Sequence, residues 1–285
     1  MLAGYYSGVS GLYYNQQKLD VVSNNLANAD TTGFRRSLMV ARSRDMNDKT
    51  PWIHSDARDR LPHFYGAERT GVYKIYGDTG KLQATGSPYD VAIAPELKNA
   101  FFSVKRSDPT DKETYYSRNG TISIEHLDSS DSNSPSVLYL GGNIALSASG
   151  NPIEVNLTGG QISVGLDGVV RQGESALGEL GIFRFNKSSD PRVQVNSNLQ
   201  LLSQLGDSLF KIPEEHSDEF NPRRLDMGRD NLSRLTVQGV RESSNVNPVT
   251  EMVGMMEATK SFAANADSIK TQMQGLQKLF QLVQS

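Results

Sequence analysis

The residue types that most often carry chemistry are few in this chain and are not spaced for it. The four histidines, His54, His63, His126 and His216, show no i, i+4 pair of the kind that binds a metal on a helix. Cysteine is absent, which excludes disulfides, thiolate catalysis and Cys-ligated zinc. We therefore expect scattered surface or structural histidines, and the sequence predicts no catalytic, metal-binding or cofactor-binding residue.

Two short motifs resemble known sites but do not meet their requirements. Gly8-Val9-Ser10-Gly11 is similar to a nucleophile elbow, yet it lies within a helical pattern rather than between a strand and a helix. The polar run at 128–133 is similar to a calcium loop but lacks the required glycine and the distal glutamate. We interpret the segment 128–136 as an additional loop. The sequence predicts a protein that is not an enzyme.

The charge and hydropathy of the chain exclude several classes of partner. The formal net charge of −3 gives no general attraction to nucleic acid or to anionic lipid. An Arg-rich segment at 35–70 is diluted by aspartates, so we expect a solvated or subunit-facing strip and no nucleic acid. No apolar run reaches the roughly 18 residues needed for a bilayer span, so no direct membrane insertion is expected. The N-terminus also lacks the pattern of a general secretory signal peptide.

Apolar residues near both ends recur at alternating steps of four and three, which is the spacing of a seam between paired helices. The first helix is expected from about Ala3 to about Asn28, and the last from Pro248 to about Val283. Because each seam needs a partner, the termini are predicted to pair with each other; two amphipathic helices packed on a globular core are the alternative. The predicted assembly interface consists of Tyr5, Val9, Leu12, Leu19 and Leu26 with Phe262, Ile269, Met273, Leu276, Phe280 and Val283.

The sequence between the two helices changes to short runs rich in Val, Ile, Tyr and Phe. Asn119-Gly120, Gly150-Asn151 and Asp167-Gly168 separate several runs and accept the positive φ that hairpin turns need. Short strands without intervening helices predict an antiparallel sandwich or barrel-like domain. The predicted strands are Val72–Tyr76, Tyr89–Ala94, Phe101–Lys105, Thr114–Ser117, Thr121–Glu125, Val137–Leu140, Ile162–Val164, Val169–Arg171, Ile182–Phe185 and Leu235–Val240.

Two polar motifs lie beside the predicted helices. One follows the first helix at 23–35, and the other precedes the last helix at 243–249. Together they resemble the motifs of the flagellar rod and hook protein family, and internal stretches such as 80–82 and 116–120 match as well. The motif residues are Asn24, Asn25, Leu26, Ala27, Asn28, Thr32, Gly33, Phe34, Ser244, Asn245, Val246, Asn247 and Pro248.

This resemblance implies a fold, a role and a place in the cell. The family brings its terminal helices together as an inner coiled-coil layer and exposes the middle of the chain as an outer domain. The implied function is a structural subunit of the bacterial flagellar basal-body rod in the periplasmic space, which polymerises and transmits torque. Its partners would be other rod proteins, copies of itself and the flagellar type III export apparatus, which would export it without a cleaved signal peptide.

The length of the chain resembles that of the family's two longer rod subunits, and the Asn-Val-Asn-Pro-Val motif favours the proximal over the distal type. A secreted β-domain binding module with a coiled-coil oligomerisation stalk is the alternative from another class. We predict an α+β fold in four parts. Residues 1–34 form an N-terminal helix of the inner layer, 35–71 an extended connector, 72–240 the central all-β domain, and 241–285 a C-terminal helix of the inner layer.

Overall fold

The chain divides into two compact units, each assembled from separate stretches of sequence. The helical unit consists of residues 1–27, 37–74 and 247–285, and the β-rich unit consists of 28–36 and 75–246. The computed structural model describes residues 2–45, 65–76, 78–108, 111, 113–126, 135–156, 160–185, 199, 202–206, 208–215 and 222–284.

The helical unit contains two helices and a β-hairpin. Helix α1 spans Leu2–Ala27 and helix α2 spans Pro248–Gln284. The 37 residues of α2 give a length of about 55 Å. Strands β1 (Ser37–Asp45) and β2 (Tyr65–Lys74) pair antiparallel, with a register shift after Val40. The segment 35–71, predicted as an extended connector, therefore includes β1 and most of β2.

The described strands of the β-rich unit form antiparallel sheets. The strands are β3 (Leu82–Ala84), β4 (Val91–Ile93), β5 (Ala100–Lys105), β6 (Tyr115–Ser117), β7 (Ile122–His126), β8 (Ser136–Leu140), β9 (Asn143–Ala145), β10 (Glu154–Val155), β11 (Ile162–Val164), β12 (Val169–Gln172), β13 (Ser175–Glu179), β14 (Ile182–Phe185), β15 (Ser203–Leu205), β16 (Leu209–Lys211), β17 (Pro222–Arg224), β18 (Thr236–Gln238) and β19 (Val240–Glu242). The largest sheet has ten of these strands, in the order β10-β8-β9-β5-β6-β16-β15, with β7 also paired to β8, β14 also paired to β5, and β17 paired to β14. Smaller sheets are β11-β12-β13, β18-β4 and β19-β3.

The core of the β-rich unit has an aliphatic part and an aromatic part. The aliphatic part includes Ile93, Leu138 and Ile182, all buried. The aromatic part gathers around Phe101, whose ring lies edge-on to that of Phe210 with centroids 5.5 Å apart. Edge-to-face pairs of this kind add to the stabilisation from burial alone. The unit therefore has a core of its own.

The predicted α+β class is confirmed, whereas the coiled-coil packing and the sandwich or barrel-like form of the β domain stay predictions. Several local details differ from the prediction. The predicted run Leu235–Val240 is interrupted at Gly239, whose φ of 78° separates β18 from β19. Gly150 and Gly168 have the expected positive φ, but Asn119-Gly120 does not form that kind of turn. Gly120 is instead required by space, because a Cβ there would overlap the carbonyl oxygen of Val91.

The structure describes only a small part of the predicted loop 128–136 and one of the four histidines. Most of the predicted loop 128–136 lies outside the described residues, as do His54, His63 and His216. His126 is described, and its Nδ1 lies 3.4 Å from Ser136 Oγ. Neither helix of the described chain combines the length and the apolar character that a bilayer span requires.

Candidate assembly interface

Helices α1 and α2 of the helical unit lie antiparallel against each other. Asn15 Nδ2 donates a hydrogen bond to Ser261 Oγ at 3.0 Å, and Asn25 Nδ2 donates to Glu251 Oε2 at 3.1 Å. The two contacts are ten residues apart in both helices, and the residue numbers rise along α1 while they fall along α2. The pairing of the two termini, predicted from their apolar spacing, is therefore present within one chain.

The α1 surface that faces α2 consists mainly of small and polar residues. A Cβ at Gly8 would lie 2.8 Å from Ile269 Cγ1, and one at Gly11 would lie 2.6 Å from Asn265 Nδ2, so the two helices approach closely here. Glycine permits this approach because it has no Cβ that would clash with the facing helix. We call this surface the polar stripe; it consists of Gly8, Gly11, Asn15, Lys18, Val22 and Asn25.

The predicted apolar seam lies one residue further along α1 than the polar stripe. One residue turns an α-helix by about 100°, so the seam occupies a neighbouring face. Ile269 on α2 is a predicted residue that contacts α1, beside Gly8. Met273 and Phe280 are 46% and 67% exposed, and the side chain of Val283 lies outside the description. The other predicted residues are half-buried: Tyr5, Val9, Leu12, Leu19, Leu26, Phe262 and Leu276.

Exposed apolar side chains concentrate on the helical unit. Among the described residues, all large apolar side chains that are exposed lie in this unit, apart from Tyr89, Leu166 and Leu205. Large apolar patches on a protein surface commonly mark sites of interaction with another molecule. The exposed side chains of the helical unit are Tyr13, Leu38, Val40, Val72, Tyr73, Val249, Met252, Val253, Met256, Met273, Leu279, Phe280 and Leu282.

The end of α2 extends past the start of α1. Ile269 lies beside Gly8, so Leu2 at the start of α1 corresponds to a position near Gly275 on α2. The remaining residues of α2 form about two and a half further turns. Phe280 and Leu282 on these turns are 67% and 72% exposed. This projecting end offers apolar surface that α1 does not cover.

Several motif residues begin or end the elements of the helical unit. Asn247 Oδ1 accepts hydrogen bonds from the backbone N–H groups of Val249 at 3.1 Å and Thr250 at 3.4 Å. It is therefore the N-cap of α2, with Pro248 at the first helical position, as predicted from the sequence. At the other end of the chain, Asn25 hydrogen-bonds both backbone groups of Ser37 at 2.8 Å.

Other motif residues join the first and the last segments of the β-rich unit. Gly33 N donates to Glu242 O at 3.0 Å, and Asn245 N donates to Phe34 O at 3.4 Å. Gly33 has a φ of 72°, and a Cβ there would lie 2.8 Å from the backbone of Arg118. The glycine of this motif is thus required both by its backbone conformation and by close packing.

A buried ion triad joins these ends to the middle of the chain. Glu242 accepts from Arg118 Nη1 at 2.6 Å and lies 2.9 Å from Arg35 Nη2. Arg118 also donates to the carbonyl oxygens of Leu97 and Lys98. Burial lowers the pKa of Arg118 to about 10, and Glu242 opposes that shift, so the guanidinium stays charged at neutral pH. The triad holds two cations on one carboxylate.

This triad was not predicted from the sequence, and the burial of Arg35 contradicts what was expected of its segment. The segment beginning at Arg35 was expected to be solvated or subunit-facing, but Arg35 is 0% exposed. Charged residues are rarely fully buried unless they are paired, and these partners are far apart along the chain. The available signal was the placement of Arg35, Arg118 and Glu242 within or beside the three segments 23–35, 116–120 and 243–249.

The triad leads to a prediction about where the β-rich unit can be cut. A fragment of residues 28–246 contains the β-rich unit together with residues 37–74 of the helical unit, and the β-rich unit in it should melt cooperatively. A fragment of 36–246 should be less stable by about 3 kcal/mol or more, because it loses buried Phe34 and Arg35. Thermal melting followed by circular dichroism measures the difference. A fragment of 20–246 serves as the control and should match 28–246. Equal stability of 28–246 and 36–246 would show that the first motif does not belong to this unit.

Comparison with known proteins places both motifs in recognised families. Residues 6–35 match the family model described as Flagella basal body rod protein, and residues 237–282 match Flagellar basal body rod FlgEFG protein C-terminal. The flagellar basal-body rod protein FlgG of Buchnera aphidicola (subsp. Schizaphis graminum) is 30% identical, with 99% of this chain and 100% of the relative covered. FlgF of Mesorhizobium japonicum is 27% identical, with 92% and 89% covered, and FlgG of Bacillus subtilis is 26% identical, with 99% of each covered.

Proposed function

This chain belongs to the flagellar basal-body rod protein family, and from that premise we propose that it is a structural, non-enzymatic subunit of the bacterial flagellar rod. Its role is to assemble into the drive shaft of the basal body and to carry torque. The β-rich unit forms the outer domain, and the paired terminal helices form the inner coiled-coil layer. Partners are other rod proteins and copies of the chain itself.

The observation that carries this proposal is the apolar surface left on the helical unit. The two helices already contact each other through the polar stripe, yet Met252, Met256 and Phe280 on α2 remain exposed. At about 25 cal/mol per Å² of buried apolar area, covering this surface with neighbouring subunits gives a substantial driving force for assembly. Head-to-tail contacts that do not close into a ring build a helical filament, and the same contacts resist torsion along the shaft.

The proposal for the position of the subunit along the rod rests on finer features of the sequence. The motif Asn-Val-Asn-Pro-Val at 245–249 supports the proximal, FlgF type. The distal, FlgG type is the alternative, and the end-to-end coverage of FlgG relatives favours it. Imaging of a tagged subunit in purified basal bodies distinguishes the two, because the proximal and distal types occupy different positions along the rod.

We further propose that the subunit reaches the periplasmic space through the flagellar type III export apparatus without cleavage of a signal peptide. The helix pair supports the uncleaved N-terminus, since the contacts of α1 with α2 begin by Gly8 and continue to Asn25. Cleavage near residues 20–30 would remove most of the surface that holds α2. The N-terminal segment is therefore required in the mature subunit.

One experiment on purified basal bodies tests the assembly and the export together. Mass spectrometry should find the chain among the rod components, with peptides from before Gly8 present in the assembled protein. Soluble periplasmic fractions serve as the control and should contain little of it. A mature chain that begins near Ala27 would overturn the export proposal, and a closed oligomer of fixed size outside the basal body would overturn the rod proposal.

A further inference from the structure

The contact between Asn25 and Glu251 is a buried hydrogen bond between two polar side chains in the interface of α1 and α2. Both side chains are 1% exposed. Asn25 Nδ2 donates to Glu251 Oε2 at 3.1 Å and to Ser37 O at 2.8 Å, while Asn25 Oδ1 accepts from Ser37 N at 2.8 Å. One amide side chain thus links α1 to α2 and to the start of β1.

A buried polar contact of this kind discriminates strongly between alternative alignments of two helices. Apolar side chains pack acceptably in several alignments that differ by one heptad, because each alignment again brings apolar groups together. A hydrogen bond between a buried amide on one helix and a buried carboxylate on the other forms in one alignment only, and losing it inside an interface is costly. A single buried Asn is known to fix register in coiled coils for this reason.

We propose that the Asn25–Glu251 contact determines the register in which the two terminal helices of one chain pair. The rest of the polar stripe is poorly suited to that task. Gly8 and Gly11 allow the helices to approach closely, but they have no side chain that could bond a specific partner. The Lys18–Glu257 ion pair, at 3.8 Å, is largely exposed and therefore weak. Asn15 is buried, but its partner is a neutral hydroxyl on Ser261.

The location of the contact strengthens this assignment. Glu251 lies in the first turn of α2, where the backbone N–H groups favour a negative charge. Asn25 lies in the last turn of α1 and fixes Ser37 at the entry to β1. The contact thus sets the register at the end of the helix pair where α1 ends and α2 begins. This register determines how far α2 extends past the start of α1. That consequence for assembly rests on the proposed function, whereas the register itself does not.

The absence of cysteine allows the register to be measured in the full-length chain. The pair Lys18→Cys and Glu257→Cys reports the native register, because these residues face each other. The pair Lys18→Cys and Ala264→Cys reports a slip of one heptad, about 11 Å along α2. With a short bis-maleimide, which alkylates both thiols, intramolecular cross-linking should favour the native pair by roughly tenfold or more, since each net hydrogen bond shifts such a ratio by about tenfold.

Asn25→Leu should reduce that preference to within about threefold, because the native register then places Glu251 against an apolar side chain. Asn15→Leu is the matched control on the same stripe and should leave the preference nearly unchanged. Asn25→Asp should also lose the preference, because it opposes two carboxylates and places a carboxylate oxygen against the carbonyl oxygen of Ser37. Adding Glu251→Gln removes the first of these repulsions and should restore part of the preference. An unchanged ratio in Asn25→Leu, an equal loss in Asn15→Leu, or no restoration in the double variant would each overturn the assignment. None of these results would bear on the presence of the chain in basal bodies.

Discussion

Replacing Glu242 by Gln is expected to destabilise the β-rich unit by about 3–5 kcal/mol. The carboxylate is the anion that compensates Arg35 and Arg118, and all three side chains are fully buried or nearly so. Glutamine preserves the size of the side chain but removes the negative charge that lies against two desolvated guanidinium groups. It also weakens the acceptor that receives the N–H of Gly80 at 3.1 Å.

Chemical denaturation of the full chain, or of the fragment 28–246, measures this loss. Glu96→Gln is the matched control, because Glu96 pairs with Arg234 at 2.7 Å on the surface, where solvent screens the interaction. The control should change the midpoint of unfolding only slightly. If Glu242→Gln proved as mild as Glu96→Gln, water would have to reach the triad, and its role in joining the two ends of the chain would be withdrawn.

Replacing Phe280 by Asp is expected to abolish incorporation into the rod while leaving the isolated subunit folded. Phe280 is 67% exposed on the projecting end of α2, so an aspartate there is fully solvated in the free chain. In the proposed inner layer the same position is buried against a neighbouring subunit. A desolvated carboxylate without a partner costs several kcal/mol in each subunit. Leu276→Asp should act in the same way from a half-buried position of the predicted seam.

Motility in soft agar and the protein content of purified basal bodies report the loss, and thermal melting confirms that the subunit still folds. Gln281→Asp is the control, since it introduces the same charge one residue further along an exposed face of α2. It should retain motility close to that of the natural chain. Equal loss of assembly in both variants would place the interface on a different face of α2 from the one predicted.

Much of the architecture could be predicted because it depends on short-range pattern. The bounds of α1 and α2 follow from apolar periodicity, the Asn-Pro cap and the polar helix stop. Short alternating runs likewise predict the strands that carry Val, Ile, Tyr and Phe. Strands such as β13 (Ser175–Glu179) and β15 (Ser203–Leu205) were missed, since their polar sequences have no apolar pattern and form strands through pairing with a neighbour.

The contacts at the candidate interface depend on partners that are distant in sequence. The apolar seam of Leu12 and Leu19 was the visible signal, yet the polar stripe through Asn15 and Asn25 contacts α2. Small and polar residues give no periodic apolar signal, and only the three-dimensional pairing shows that Gly8 and Gly11 allow the helices to come close.

The sequence by itself therefore determined the two helices, the strands with apolar pattern and the family motifs, because helix caps, turn glycines and periodic burial are local properties of the chain. Only the tertiary structure decided which charges are buried and which helix face meets its partner. Arg35 read alone is a solvated cation; it becomes a buried one because Glu242 and Asp78, brought close by the fold, supply a carboxylate at 2.9 Å and a carbonyl oxygen at 3.0 Å. The free energy of burying a charge depends on the groups around it, and these groups are far away in the sequence.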